Sequence, residues 1–489
     1  MSIPPQPPVP PDLPTELTTQ FISSQTTFAH QNSFDDPNYY TKKPSTLITT
    51  SAVHSFTTGT GSSIYQSLSP LLTYTNHELI IVTCFWAHSP SLATLNTALR
   101  ALSTKALSRP NQRKIRVRIC LSSLSLWQKL LHTQHIAGQT YPPPTWAPKL
   151  GLPTPEELSG LDLQVKSIFL WPFSVMHPKF LIIDRKMVAL PSANVSWEYW
   201  FEGCVTMSGA VVENFVQFYS EFWEKGSESR GVVPYSENEG LMEGGVEDIL
   251  SQSTDHTLSF KKCKGMEDVK TFFLPSPHHR NPGFQPFASA SNMYVPATPL
   301  NTFTLSLFAA AEKSIRIQTP NITSPPVLSA LLKALERGVD VNIFTSEKLM
   351  VLEQLGTSGT TTKRCMNMLI KRYKALRSSH ARTQGRDGDE EAQLPLPTTP
   401  IGNLQISFFT PLTPTPSATS PQQSHLKMTV VDDEVLILGS GNLDRASWYT
   451  SQELGVAFVD KGMCREIVRA VDDGSAGMFR GVFGGREGF

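Results

Sequence analysis

Two stretches of this chain carry the same polar residues at the same spacing, and a repeat of that kind constrains the fold more than any other feature. The first is His177-Pro-Lys179-Phe-Leu-Ile-Ile-Asp184, with Ser192-Ala-Asn194 downstream. The second is His425-Leu-Lys427-Met-Thr-Val-Val-Asp432, followed by Ser440-Gly-Asn442. As many residues separate His177 from Asn194 as separate His425 from Asn442. The residues between Lys and Asp favour strands, and a strand puts His and Lys, two apart, on one face. Asp-Arg-Lys and Asp-Asp-Glu read as tight turns, with returning strands at 187–190 and 435–438.

The repeat extends upstream. A strand at Ala52–Phe56, a Gly59-Thr-Gly61 turn and a helix over 62–72 lead to a strand at Leu79–Phe85. Leu92, Leu95, Leu99 and Leu102 stripe the next helix, before a strand at Ile115–Leu121. The second half predicts a strand at Lys270–Leu274, a helix at Thr302–Ala311 and a strand at Ile315–Gln318. A helix striped by Val327, Leu328, Leu331, Leu332 and Leu335 is closed by Gly338, and a strand follows at Val339–Phe344. Strand, helix, strand order implies βαβ units and a largely parallel sheet with right-handed crossovers.

At 489 residues the chain is too long for one ordinary core, and two similar lobes fit. We place a disordered Pro-, Ser- and Thr-rich tail at 1–45, the first lobe at 46–225, a linker at 226–267 and the second lobe at 268–489. Irregular insertions fall at 385–400 and 411–421, the latter just ahead of His425 and placed to border a site there. Forty-two basic residues balance forty-two acidic ones, so the chain has no global footprint of a nucleic-acid binder. Six cysteines stand singly, which points to a reducing, intracellular compartment. No signal peptide and no transmembrane run of about 18 apolar residues is seen. The expected location is cytoplasmic or peripherally membrane-associated.

A phosphodiester is anionic and resists attack, so its cleavage needs fixed positive charge and hydrogen-bond donors around its oxygens, a nucleophile and a proton donor. Two His, two Lys and two Ser-x-Asn pairs supply that set, and neither half holds it alone. One imidazole, neutral, can attack phosphorus to give a phosphohistidine; the other, protonated, can protonate the leaving alkoxide and then act as base. Lys179, Lys427, Asn194 and Asn442 would hold the phosphate oxygens, with Ser192 and Ser440 as lesser donors. No metal and no cofactor is expected, because each His has a lysine beside it whose cation would repel a metal.

Other features admit two readings. Lys363, Arg364, Lys371, Arg372, Lys374 and Arg377 lie on a helix whose other side carries Met366, Leu369, Ile370 and Tyr373. A solvated face is the simpler reading, and a patch for an anionic substrate or membrane the alternative. Trp171, Phe173 and Met176 are either core or the lining of an acyl-chain mouth.

In its two motif blocks the chain resembles the phospholipase D superfamily, over roughly residues 46–225 and 268–475. The resemblance implies two α/β lobes, each a mixed, largely parallel sheet flanked by helices, related by a pseudo-two-fold axis about one shared active site. It makes Glu202 and Glu453 the residues that orient the histidines, although Pro191 stands where the second copy has Gly439 and the path to Glu202 is shorter. His177, Lys179, Asp184, His425, Lys427 and Asp432 become the catalytic set, with Asp184 and Asp432 bracing the motifs. By analogy His177 attacks and His425 is the acid and base. The implied activity is that of a metal-independent phosphodiesterase or phosphatidyltransferase, as in phospholipases D and cardiolipin synthases, working by hydrolysis or transfer to an alcohol. The substrate is a glycerophospholipid, reached by peripheral membrane contact, and a monomer is expected. A nuclease or DNA-end phosphodiesterase of the same superfamily is the alternative, with nucleic acid as partner; an inactive binding scaffold is the third reading.

Overall fold

The computed structural model describes residues 13–124, 135–170, 174–225, 257–259, 266–277, 295–384, 400–417 and 419–484. After α1 (Leu13–Thr27), the first half runs through β1 (Ile48–Gly59), α2 (Gly61–Tyr74), β2 (Glu78–Phe85), α3 (Pro90–Leu107), β3 (Ile115–Ser123) and β4 (Leu161–Ser167). The motif hairpin follows as β5 (Phe180–Ile183) and β6 (Met187–Pro191), then β7 (Trp200–Ser208) and α4 (Val211–Trp223). The second half opens with β8 (Val269–Ser276), α5 (Pro299–Ala310), β9 (Ser314–Thr319), α6 (Pro325–Glu336) and β10 (Asp340–Thr345). It continues with α7 (Val351–Ser358), α8 (Thr362–Gln384), β11 (Leu404–Phe409), the hairpin β12 (Met428–Val431) and β13 (Val435–Gly439), and α9 (Arg445–Tyr449). Then come β14 (Glu453–Val459), α10 (Lys461–Gly474) and β15 (Phe479–Gly484).

Each half pairs its strands in the same order. The first runs β1, β7, β6, β5, β2, β3, β4. The second runs β8, β14, β13, β12, β9, β10, β11. β1 and β8 pair antiparallel, Ile48 opposite Phe272, and join the halves into one sheet. The expected largely parallel sheet holds for the βαβ strands alone. β2, β3 and β4 are parallel, as are β9, β10 and β11, whereas the motif hairpins and the strands after them run antiparallel, because a tight turn allows nothing else.

The striped helices form as their spacing predicts. Ser89 caps α3 by accepting from the Leu92 N–H at 3.1 Å, Pro90 starts the helix without a wasted donor, and Leu92, Leu95, Leu99 and Leu102 are buried. In α6 the buried positions are Val327, Leu328, Leu331, Ala334 and Leu335. One apolar core contains Phe56, Phe180 and Phe215 of the first half together with Phe273, Phe308 and Ile317 of the second. A second cluster lies under α2 and α3. Among the described residues, no helix is long and apolar enough to cross a membrane.

The tail expected over 1–45 is corrected from residue 13 on. Leu17 and Phe21, four apart on α1, are buried, and Phe21 packs edge-on against Phe272 and Phe303 with ring centroids 5.6 and 5.7 Å away. Gln25 donates to the Thr302 hydroxyl at 2.6 Å, and Tyr40 is fully buried. Pro, Ser and Thr around Leu17 and Phe21 hid a one-sided helix. Residues 1–12 lie outside the described residues, as do Trp171, Phe173, residues 385–399 and most of the linker. Thr257–Ser259 of the linker pairs with β1. Met176 is core, fully buried, rather than the lining of a mouth.

Asp184 and Asp432 brace their motifs through hydrogen bonds, as expected. Each opens a two-residue turn with Arg185 or Asp433, all four at φ between 50° and 56°. The Lys186 N–H donates to the Ile183 carbonyl and the Glu434 N–H to Val431, both at 3.0 Å, which makes type I′ turns matched to the strand twist. The Asp184 carboxylate accepts from the N–H groups of Asn76, His77 and Glu78 at 2.8, 2.7 and 2.9 Å. Asp432 does the same for Glu312, Lys313 and Ser314 at 2.9, 2.7 and 2.8 Å. Each aspartate therefore locks its motif hairpin to the start of the neighbouring strand. Asp184→Asn, which keeps the left-handed turn but loses the charge and one acceptor, should lower stability by about 2 kcal/mol in denaturant melts while leaving kcat within about threefold. A kcat loss at unchanged stability would return Asp184 to the chemistry.

Candidate active site

The strand register brings the two motifs to one place by exchanging partners between the halves. The segment entering the first motif lies along the residues before β14: the His177 N–H donates to the Gln452 carbonyl, and the Gln452 N–H to Val175, both at 3.0 Å. The segment entering the second motif lies along β7, with Gln423 opposite Trp200 and Ser424 opposite Phe201, and the His425 N–H donates to the Phe201 carbonyl at 2.8 Å. Glu202 is the next residue on β7, and Glu453 the first on β14. Each histidine therefore meets the glutamate of the other half. His177 Nδ1 stands 2.9 Å from Glu453 Oε2, and His425 Nδ1 2.7 Å from Glu202 Oε1. The imidazole ring centroids are 6.5 Å apart.

Ser192 and Ser440 are corrected from phosphate donors to carboxylate holders. Ser192 Oγ donates to Glu202 Oε2 and accepts from the Gly203 N–H; Ser440 Oγ donates to Glu453 Oε2 at 2.5 Å and accepts from the Leu454 N–H. Both hydroxyls are buried against the strand that bears the glutamate. Gly439 lets that strand approach: a Cβ there would lie 2.3 Å from the Leu454 carbonyl oxygen. The shorter path in the first copy still brings Glu202 to its serine and to His425.

Lys179 and Lys427 sit beneath the histidines, 1% and 4% exposed. Each donates to the carbonyl of its own histidine, at 2.9 and 2.7 Å, and Lys427 Nζ also lies 2.7 Å from His425 Nε2. His177, His425, Asn194, Asn442 and Glu453 line a cavity of about 240 Å³. The Asn194 side-chain oxygen accepts from the Phe85 N–H at 3.2 Å, while Asn442 donates to Asp444 at 3.0 Å and leaves its own oxygen buried without a partner. Asp184 and Asp432 do not reach this cavity.

Four residues of the site escaped sequence reasoning. Ser447 donates to Glu453 Oε1 at 2.6 Å, and Asp444 caps α9 by accepting from the Ser447 N–H at 2.9 Å. The Asp444-Arg-Ala-Ser447 spacing is a helix-start signal that could have found both. Trp200 packs on His425 with centroids 4.7 Å apart, and Glu198 keeps a buried oxygen, Oε2, without a partner on the cavity wall. Only their place at the start of β7 reveals these two.

Burial shifts the proton affinities of the site's ionisable groups. It lowers His177, with Glu453 opposing, and drives His425 well below the usual imidazole range, with Lys427 and Lys179 adding to the effect. It also lowers Lys179 and, further, Lys427. Glu202 is pushed up to about 7 by burial, against the pull of Lys427. Glu202→Gln should cost on the order of 10²-fold or more in kcat with a soluble phosphodiester, since the amide cannot fix the imidazole proton on Nδ1 as the carboxylate does. A carboxyl raised by folding stabilises most below its unfolded value near 4.5, and that contribution is lost as pH rises through about 7. The stability of wild type relative to the Gln variant should therefore fall over that window in denaturant melts, and a flat difference would contradict the assignment.

The profile of the family described as "Cardiolipin synthase, PLD-like domain" matches residues 304–473, which hold the second motif. Among curated proteins none matches the chain by sequence. Among solved structures it is similar to a phosphatidylserine synthase of Haemophilus influenzae Rd KW20, at 14% identity over 94% of this chain and 92% of that one, TM-score 0.48. It is also similar to Nuc of Salmonella typhimurium, a phospholipase D family member, at 20% identity over 37% and 90%, TM-score 0.25. A third likeness is to a polyphosphate kinase of Porphyromonas gingivalis, at 9% identity over 83% and 45%, TM-score 0.41. The matched domain thus lies in the second half of the chain, and the first half repeats its motif and strand order.

Proposed function

We propose that the protein is a phosphodiesterase or phosphatidyltransferase acting on glycerophospholipids through a phosphohistidine, without a metal ion. The observation that carries this is the pair of imidazoles on one cavity, each held at Nδ1 by a carboxylate from the other half. Two rings so close can stand on opposite sides of one phosphorus atom. The lipid reading rests on the cardiolipin synthase description of the matched domain and on the absence of net charge. Metal independence is supported by Lys427, whose cation occupies the space beside His425 Nε2 that a metal would need.

The geometry favours the reverse of the role assignment that resemblance suggests. Lys427 Nζ lies 2.7 Å from His425 Nε2, and burial with the nearby lysines holds this imidazole well below the usual range, which suits His425 to attack. His177, less depressed and facing the Glu453 carboxylate, is better placed to carry the acid proton. His425 Nε2 attacks phosphorus as the ester bond breaks, and the leaving alkoxide takes the proton of His177. His177 then removes a proton from water or an alcohol, whose oxygen displaces His425 from phosphorus. Lys179, Lys427, Asn194 and Asn442 neutralise or hydrogen-bond the phosphate oxygens throughout.

With a p-nitrophenyl phosphodiester, whose leaving group needs no proton, His177→Ala should still form an acid-quenched adduct on the peptide containing His425, and His425→Ala should form none. An adduct on the His177 peptide would restore the opposite roles; no adduct even in wild type under rapid quench would count against the covalent route. On a mixed phospholipid panel with ethanol, the purified protein should yield phosphatidylethanol alongside the hydrolysis product. Cleavage of single-stranded or duplex DNA with no phospholipid consumed would favour the nuclease reading instead.

A further inference from the structure

Eight large apolar side chains stand exposed among the described residues, and four of them, Trp197, Met350, Leu352 and Leu355, belong to the two segments that border the catalytic cavity. Three of the four lie at α7, which is built inside out. Its buried residue is Gln354, 3% exposed, while Leu352 is 86% and Leu355 39% exposed. A helix on the surface of a water-soluble protein normally turns the opposite way.

The reason is local. Gln354 Nε2 donates to the Asn321 side-chain oxygen at 2.8 Å and to the Leu349 carbonyl at 2.6 Å, and its Oε1 accepts from the Thr362 N–H and hydroxyl at 2.6 and 3.0 Å. The amide is used at both ends and pins the helix by its polar residue. Left-handed residues at Met350 and Gly359 bracket the helix. Leu352 and Leu355, three apart, then share a face turned to solvent. α8, which starts just beyond, carries seven Lys and Arg and no acidic residue. Arg364, Lys371, Arg372, Lys374 and Arg377 on it are exposed.

We propose that α7, with the lip around Trp197, is the surface by which the protein docks on an anionic phospholipid membrane. Leu352 and Leu355 enter the acyl boundary, and the basic side of α8 meets the headgroups. The occupant follows from position and charge. Met350, Gln354 and Thr357 of the same segment line the cavity, so a protein docked here would cover the mouth, whereas a bilayer brings substrate to it. The paired apolar and basic elements match an anionic lipid surface. This inference rests on the phospholipid reading of the site.

Flotation of the full chain with vesicles of phosphatidylcholine, with and without phosphatidylglycerol, tests it. Wild type should float with the anionic vesicles. Leu352→Ser with Leu355→Ser should weaken that binding by about tenfold or more, since affinity scales with the apolar area inserted. Lys371→Glu with Arg372→Glu should weaken it most at low salt. Neither pair lines the cavity, so turnover of a soluble phosphodiester should stay within about twofold and report intact folding. Wild type that floats with no vesicle, or a leucine variant that floats as wild type does, overturns the proposal. So does light scattering that shows a dimer which the leucine variant splits, because the face would then hold a second copy. A chain that floats through α7 but consumes no detergent-dispersed phospholipid overturns the substrate reading and leaves the docking face standing.

Discussion

A carboxylate from one half meeting an imidazole from the other is the interaction on which the rest of the site depends. It is set by backbone pairing as much as by side chains, because the segment entering each motif is hydrogen-bonded to the other half just before its glutamate. The shared core and the pairing of β1 with β8 hold that register, so neither half can shift without parting both His–Glu pairs. α1 adds to the constraint by packing its first-half chain segment onto α5 of the second half. Packing far from the cavity thus fixes distances within it.

The two halves contribute equal parts and unequal electrostatics. Glu453 is held by two hydroxyls, Ser440 and Ser447, in addition to His177; Glu202 has Ser192 and His425. One donor fewer in a buried setting accords with the rise of Glu202 to about 7. On the opposite ring nitrogen, His425 faces the Lys427 ammonium. A duplicated fold therefore yields two chemically different histidines, which the proposed pairing of a nucleophile with an acid would use.

Two buried lysines and two buried glutamates are costly to hold in the absence of substrate, and their charges balance only as a set. A phosphodiester adds one negative charge to that set. In the proposed reaction the natural compensation is a proton on the less depressed histidine, because a bound anion raises the proton affinity of the group proposed as acid. In that proposed reaction Lys427, drawn from His425 Nε2 by a phosphate oxygen, would expose the ring nitrogen proposed to attack.

The repeated His, Lys, Asp, Ser and Asn positions were legible because strand and turn periodicities are local: two residues apart means one face, and Asp at a two-residue turn means a left-handed backbone. So were the striped helices α3 and α6, whose leucines record a buried face in sequence order. Three matters were not legible there. α1 was obscured by prolines and hydroxyls, since two apolar residues four apart signal burial only when a partner surface exists. Ser192 and Ser440 looked like phosphate donors until β7 and β14 came close enough to take their hydroxyls. Trp200, Glu198 and the outward leucines of α7 carry no pattern that sets them apart from core residues. By itself the sequence determined which residue types could carry phosphodiester chemistry and that there are two sets of them. Only the tertiary structure decided which glutamate serves which histidine, which histidine is the more strongly depressed and which apolar face stays in water, because pairing, desolvation and exposure are relations between segments distant along the chain.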